Sequence, residues 1–201
     1  MELSTPHGKV PLRLVRGKGR GMAVIFPGLH YSASMPLLYY SAKTALYLGY
    51  DVLEVNYDLD PIPHRLRGEF LKDAAHVCLA WAQQRAKQLL LIGKSAGTAA
   101  LVVSTKMELS PPVARVWLTP LLNQAPVVQA LAGEKRGLAI LAEGDPAYSP
   151  EAALKIRHPG LDILTVEQAD HRLELADPLG SVDVLRGYVR TLISFVQATL
   201  A

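Results

Sequence analysis

Short apolar runs recur along the chain at 22–26 (Met-Ala-Val-Ile-Phe), 52–55 (Val-Leu-Glu-Val), 89–92 (Leu-Leu-Leu-Ile), 113–118 (Val-Ala-Arg-Val-Trp-Leu), 138–141 and 163–166. Several are apolar nearly throughout, which suits strands covered by helices on both faces. Helical spacing fills the gaps. Phe70, Ala74, Val77, Cys78 and Trp81 fall on one helical face. Val182, Leu185, Val189, Leu192 and Val196 form a second stripe, with Ser181 as the expected N-cap. The segment 36–48 reads as a helix stopped by Gly49 at a left-handed position.

Strands alternating with helices predict an α/β fold with a mostly parallel, doubly wound sheet, because parallel neighbours need a crossover connection. The start differs: 2–5 and 10–15 flank Pro6-His7-Gly8, a turn signal that predicts an antiparallel hairpin. Only Leu121 to Gly137 separates the fourth apolar run from the fifth. That space holds a short helix near 127–132 and no cap domain. No internal repeat, low-complexity tract or linker divides the 201 residues, so a single domain over 1–201 is expected.

Half the residues are hydrophobic and 19% are charged, a globular composition. The net charge is +3 and the pI about 9.0. Arg13, Arg16, Lys18 and Arg20 carry much of the local positive density, but Tyr31, Tyr39, Tyr40, Tyr47, Tyr50 and Tyr57 lie elsewhere. Without stacking aromatics among the cations, the segment reads as a solvated loop and no nucleic-acid partner is expected. The lone cysteine, Cys78, excludes an intrachain disulfide and sits on a predicted buried face, where a thiol is inert. The first 20 residues lack a signal-peptide core, and no apolar stretch is long enough to span a membrane. The expectation is a cytoplasmic protein acting on a small-molecule substrate, without a membrane partner. The six histidines are dispersed and there is no Cys-x-x-Cys, so neither metal nor cofactor is expected. Nothing in the sequence bears on oligomeric state.

Gly93-Lys-Ser-Ala-Gly97 follows the run 89–92 and precedes a helical stretch, 98–103. A serine on a tight strand-to-helix turn projects its hydroxyl outward, and small residues two before and two after it relieve crowding. A helix beginning at Ser95 would aim its first N–H groups at developing negative charge. The competing reading, a phosphate-binding Walker A loop, needs a glycine where the chain has Gln88 in a strand. Gly17-Lys-Gly-Arg-Gly21 resembles a dinucleotide fingerprint but precedes a strand instead of following one, so it reads as a flexible loop.

A serine hydroxyl needs a base. Among His7, His30, His64, His76, His158 and His171, only His30 and His171 follow strands, where doubly wound sheets gather their sites. The loop of His30 is needed for another purpose, so His171 is the base candidate. The carboxylate that orients it is expected to be Asp145, just beyond the run 138–141, with Glu143 and Asp170 as competitors. Asp170 adjoins the base and would have to fold back awkwardly to reach its ring.

The order Ser95, Asp145, His171 is that of the α/β-hydrolases. From Met22 to the final helix the chain resembles that superfamily, through Gly93-Lys-Ser-Ala-Gly97, Gly144-Asp145 and Ala169-Asp-His171. Within it, the chain looks like the small, lidless, poorly characterised hydrolases whose first loop reads Phe-Pro-Gly. The resemblance implies an α/β-hydrolase fold and an acyl-serine mechanism. Acyl transfer needs two N–H donors for the oxyanion. One is expected from Ala96 and the other from Phe26-Pro-Gly-Leu-His-Tyr31, where Gly28 lets the chain present Leu29. Many relatives have His-Gly where this chain has Pro27-Gly28, which leaves Leu29 and His30 both open as the donor. His30, Tyr31, Ser32, Tyr57, Leu121 and Tyr148 are candidates for the pocket walls. The leading function is hydrolysis of a small ester or thioester. The alternatives are a lactone or activated C–C bond, or a non-enzymatic binding protein that keeps the fold.

Overall fold

The structure is a computed structural model that describes residues 1–200. Its first strands, β1 (Glu2–Thr5) and β2 (Gly8–Val15), pair antiparallel across the expected turn. Strands and helices then alternate: β3 (Met22–Phe26), α1 (Pro36–Tyr47), β4 (Asp51–Val55), α2 (His64–Gln83) and β5 (Leu89–Lys94). A 3-10 turn over Ser95–Gly97 leads to α3 (Thr98–Ser104), followed by β6 (Val113–Leu118), α4 (Ala125–Ala132) and β7 (Gly137–Ala142). The chain ends with α5 (Pro150–Lys155), β8 (Leu161–Val166) and α6 (Pro178–Thr199). The α helix therefore starts three residues after Ser95, and not at it. Ala201, the last residue of the predicted domain, lies outside the described residues.

The eight strands form one sheet in the order β1-β2-β4-β3-β5-β6-β7-β8. From β4 to β8 all pairs are parallel, and β2 joins β4 antiparallel. Alternate strand residues feed two cores. Val24, Phe26, Leu89, Leu91 and Trp117 face the side carrying α2 to α5, whereas Ala23, Ile25, Leu90, Ile92 and Val116 face α1 and α6. Burial on both faces is why these strands read as unbroken apolar runs. The chain runs from β3 outward to β4, then back past β3 to β5. The carboxyl ends of β3 and β5 thus flank a topological switch point, where open α/β sheets place their sites. The β6–β7 connection holds only α4, so no cap covers that edge.

Several expectations need correction. The N-cap of α6 is Asp177, whose carboxylate accepts from Leu179 N and Gly180 N, and Ser181 lies within the first turn. Val182 is 61% exposed; the buried stripe is Tyr188, Leu192, Phe195 and Val196. The predicted stripe otherwise holds, with Leu185 and Val189 packed against the core and Leu192 and Val196 buried in it; of its five members only Val182, near the start of the helix, faces solvent. The helix α5, capped by Ser149, was not anticipated. The basic segment is only partly a solvated loop: Arg13 lies on β2 and pairs with Glu54, and Arg16 pairs with Asp51. The loop at 17–21 is pinned, since Lys18 N and Arg20 N both donate to Gly49 O and the Arg20 guanidinium reaches Leu200 O. Cys78 is fully buried, and burial pushes its thiol up to about 12. Among the described residues no helix is long and apolar enough to cross a membrane.

Candidate active site

β5 delivers Ser95 to the switch point in a left-handed conformation, φ +52°, which is uncommon for a residue with a side chain. The strain is accommodated by the two flanking glycines. A Cβ on Gly93 would lie 2.7 Å from Gly97 O, and one on Gly97 would collide with the Phe26 carbonyl and lie 2.6 Å from Pro27 O. Without side chains there, the turn closes tightly and the end of β3 packs directly against it. The Thr98 hydroxyl donates to Ser95 O at 2.5 Å and braces the turn from the helical side.

Three residues from three loops meet above this turn. His171 Nε2 lies 2.7 Å from Ser95 Oγ, and His171 Nδ1 lies 2.6 Å from Asp145 Oδ2. The Asp145 side chain is nearly buried while that of His171 is about one-third exposed, so the pair is shielded on its carboxylate side only. The other Asp145 oxygen accepts from Ala147 N at 2.8 Å, fixing the carboxylate. A carboxylate beside Nδ1 selects the tautomer with its proton there, leaving Nε2 to accept from the serine hydroxyl. Asp170 turns away from the ring: its Oδ1 accepts from Arg172 N and Glu174 N and organises its own loop. Glu143 is exposed just past β7. Gly144 brings the two loops together, donating its N–H to Ala169 O at 2.9 Å where a Cβ would sit 2.8 Å from the same oxygen. Of the other histidines, His7 faces Asp73, His76 bonds Lys72 O and His158 bonds Leu131 O, all away from Ser95.

The loop after β3 forms a tight turn beside the serine. Gly28 N donates to Tyr31 O and Tyr31 N to Gly28 O, with Leu29 and His30 at the tip and His30 at φ +53°. A Cβ on Gly28 would stand 3.2 Å from both Ser95 Cβ and Lys94 O, so the turn rests on the elbow. Among the described residues neither Leu29 N nor His30 N has a hydrogen-bond acceptor. A cleft of about 290 Å³ opens along this turn, with His30, Tyr31, Ser32 and Tyr57 in its wall. Asn56, Asp58 and Asp60, which the sequence did not single out, line it too. Leu121 and Tyr148 do not line it; Tyr148 packs against the core beside α5. The Tyr57 hydroxyl donates to Pro27 O at 2.7 Å, and burial pushes this phenol far above its ordinary value.

Lys94 turns inward beneath the site and is fully buried. Its ammonium donates to Thr119 Oγ1 at 2.9 Å and to the backbone carbonyl of His171 at 2.8 Å, and lies 4.6 Å from the centre of the Tyr31 ring. Desolvation lowers its pKa to about 8, against the opposing pull of Asp145 and Asp170. Lys94 stands at an unspecified position of the Gly-x-Ser-x-Gly pattern, and only its burial reveals these contacts.

No protein-family model matches the chain, and no curated protein does. Solved structures do match. An α/β serine hydrolase homologue from Coxiella burnetii superposes with a TM-score of 0.74 at 15% identity, covering 96% of this chain and 95% of that one. A lidless α/β serine hydrolase from Xanthomonas campestris gives 0.73 at 16% identity, over 98% and 93%. A dienelactone hydrolase from Anabaena variabilis gives 0.76 at 20% identity, over 100% and 97%. At these identities the likeness is one of fold.

Proposed function

We propose that this chain, which has the α/β-hydrolase fold without a lid, is a serine hydrolase that cleaves a small ester or thioester through an acyl-serine intermediate. The observation that carries the reading is the hydrogen-bonded line from Ser95 Oγ through the His171 ring to Asp145, at 2.7 and 2.6 Å. A binding protein that merely kept the fold would have no need to hold a serine at positive φ against an imidazole backed by a buried carboxylate.

In this reading His171 Nε2 takes the Ser95 proton as Oγ attacks the acyl carbon. Asp145 stabilises the imidazolium that forms. The oxyanion receives N–H groups from Ala96 and from Leu29, the residue after the glycine that rests on Ser95; His30 is the other candidate donor. Collapse of the tetrahedral intermediate expels the alcohol or thiol, which takes the proton back from Nε2. Water activated by the same nitrogen then attacks the acyl-serine and releases the acid. The same steps would open a lactone, the bond class named for the Anabaena enzyme.

A fluorophosphonate probe tests the reading, because only an activated serine reacts. Labelling at Ser95, lost in Ser95→Ala, is the expected result. Hydrolysis by that variant should fall by about 10⁴-fold or more with the fold intact. A Ser95→Ala protein keeping a tenth of wild-type turnover would remove Ser95 from the mechanism. Nitrophenyl esters, acyl thioesters and a lactone, assayed side by side, identify the bond.

A further inference from the structure

The buried ammonium of Lys94 has no part in the chemistry above. Burying a charge costs stability, and an apolar side chain of similar volume could fill the same space without that cost. Three features show that the surroundings are built around it. Thr119 supplies its hydroxyl from the end of β6 at φ +39°, an outlier for a β-branched residue. Tyr31, from the loop after β3, presents its ring face to the ammonium. The third partner is the carbonyl of His171, on the loop after β8. A single side chain on the nucleophile turn thus ties together the loops of three other strands. One of these bonds falls on the backbone of the residue whose ring bonds Ser95.

We propose that Lys94 is a positioning residue: anchored by Thr119, it docks the His171 backbone so that the ring stays in line with Ser95, and its charge offsets that of Asp145. The assignment rests on the serine hydrolase reading for its catalytic meaning. The charged groups acting on Lys94 come from separate loops. Asp145 follows β7, while Asp170 and Arg172 flank His171 after β8, and the two carboxylates outweigh the one cation. Tyr31 adds its ring face from the loop after β3. Without the ammonium, the His171 carbonyl would lose its docking partner and no cation beneath the site would oppose the charge of Asp145.

The test compares wild type, Lys94→Met and Thr119→Val. Each is measured for p-nitrophenyl acetate hydrolysis, for fluorophosphonate labelling, and for amide hydrogen exchange in residues 169–175. Lys94→Met should lower kcat by about tenfold to a hundredfold with KM within about twofold. It should speed exchange in 169–175 but not in α6. Thr119→Val should act in the same direction more weakly, and it decides the matter if Lys94→Met does not fold. Wild-type kcat and loop exchange in Lys94→Met would overturn the assignment. So would a loss of exchange protection spread evenly over the chain, which would mean a structural role alone. If wild type neither hydrolyses nor labels, the hydrolase reading of Ser95 fails. The exchange of 169–175 then still decides whether Lys94 docks His171: faster exchange in Lys94→Met upholds the docking, and unchanged exchange rejects it.

Discussion

Asp145 and His171 meet across 26 positions of sequence, carboxylate oxygen to Nδ1 at 2.6 Å, although Asp170 adjoins the histidine directly. The neighbouring carboxylate is committed to the backbone of its own loop, accepting from Arg172 N and Glu174 N. The two acids should therefore separate cleanly on mutation. Asp145→Asn is expected to lower kcat by about 10⁴-fold, since it removes both the tautomer selection and the support for the imidazolium. Asp170→Asn should cost less than about tenfold, through a looser loop. Steady-state kinetics of the two variants check this, and equal losses would contradict the assignment of the acid.

Gly28 and Gly97 both abut other backbone, with different consequences. An added Cβ at Gly97 meets the carbonyls at the end of β3, which cannot move without displacing the strand. Gly97→Ala should destabilise by about 3 kcal/mol or more, a fall in Tm of roughly 6 to 12 °C. At Gly28 the contacts are 3.2 Å, so the turn need shift only a few tenths of an ångström. Gly28→Ala should keep nearly the wild-type Tm yet lose about tenfold to a hundredfold in kcat, because the oxyanion donor moves with the turn. Calorimetry and kinetics on the same preparations separate the two effects.

The cleft along the Gly28 turn lies beside Ser95 and is not walled by Ser95 or His171, and the β6–β7 connection, which holds only α4, places no cap over this edge. Enclosing a long acyl chain takes walls on most sides. Rates on p-nitrophenyl esters should therefore peak at acetyl to butyryl and decline toward palmitoyl, with no jump when the substrate forms micelles. An optimum at lauroyl or longer would show that the missing walls are supplied by something other than this chain.

Lys94 predicts a pH dependence of stability. Its pKa is lowered from its ordinary 10.5 to about 8 in the folded state, chiefly by desolvation. The unfolded chain thus holds the proton more tightly between these values, and stability rises with pH across that window. Below pH 8 the cost is fully present, on the order of 3 kcal/mol. Relative to Lys94→Met, wild type should gain stability as pH rises from about 8 to 10.5 and show a constant difference at lower pH. Urea unfolding of both proteins at several pH values measures this; parallel curves throughout would mean the ammonium is not destabilised by burial.

The runs of apolar residues determined the six parallel strands, because parallel strands covered by helices on both faces admit few polar residues. They placed 22–26 and 113–118 to the residue. The serine turn was equally legible, since its steric requirement falls within five consecutive positions, Gly93 to Gly97. Helix α5 was not, because six residues span less than two turns and show no periodicity. That Val182, alone of the five stripe positions on α6, faces solvent depends on where α1 lies. The same limit applied to chemistry. The order of residues along the chain favours Asp145 over Asp170 as the partner of His171, but the commitment of Asp170 to Arg172 N and Glu174 N is set by the path of its own loop. The inward turn of Lys94 was decided by a threonine 25 positions away and a carbonyl 77 positions away. Local sequence determines what a segment can be, since backbone sterics and burial act over a few residues. A polar side chain takes its role from its partners, and these are chosen by the order of strands in the sheet.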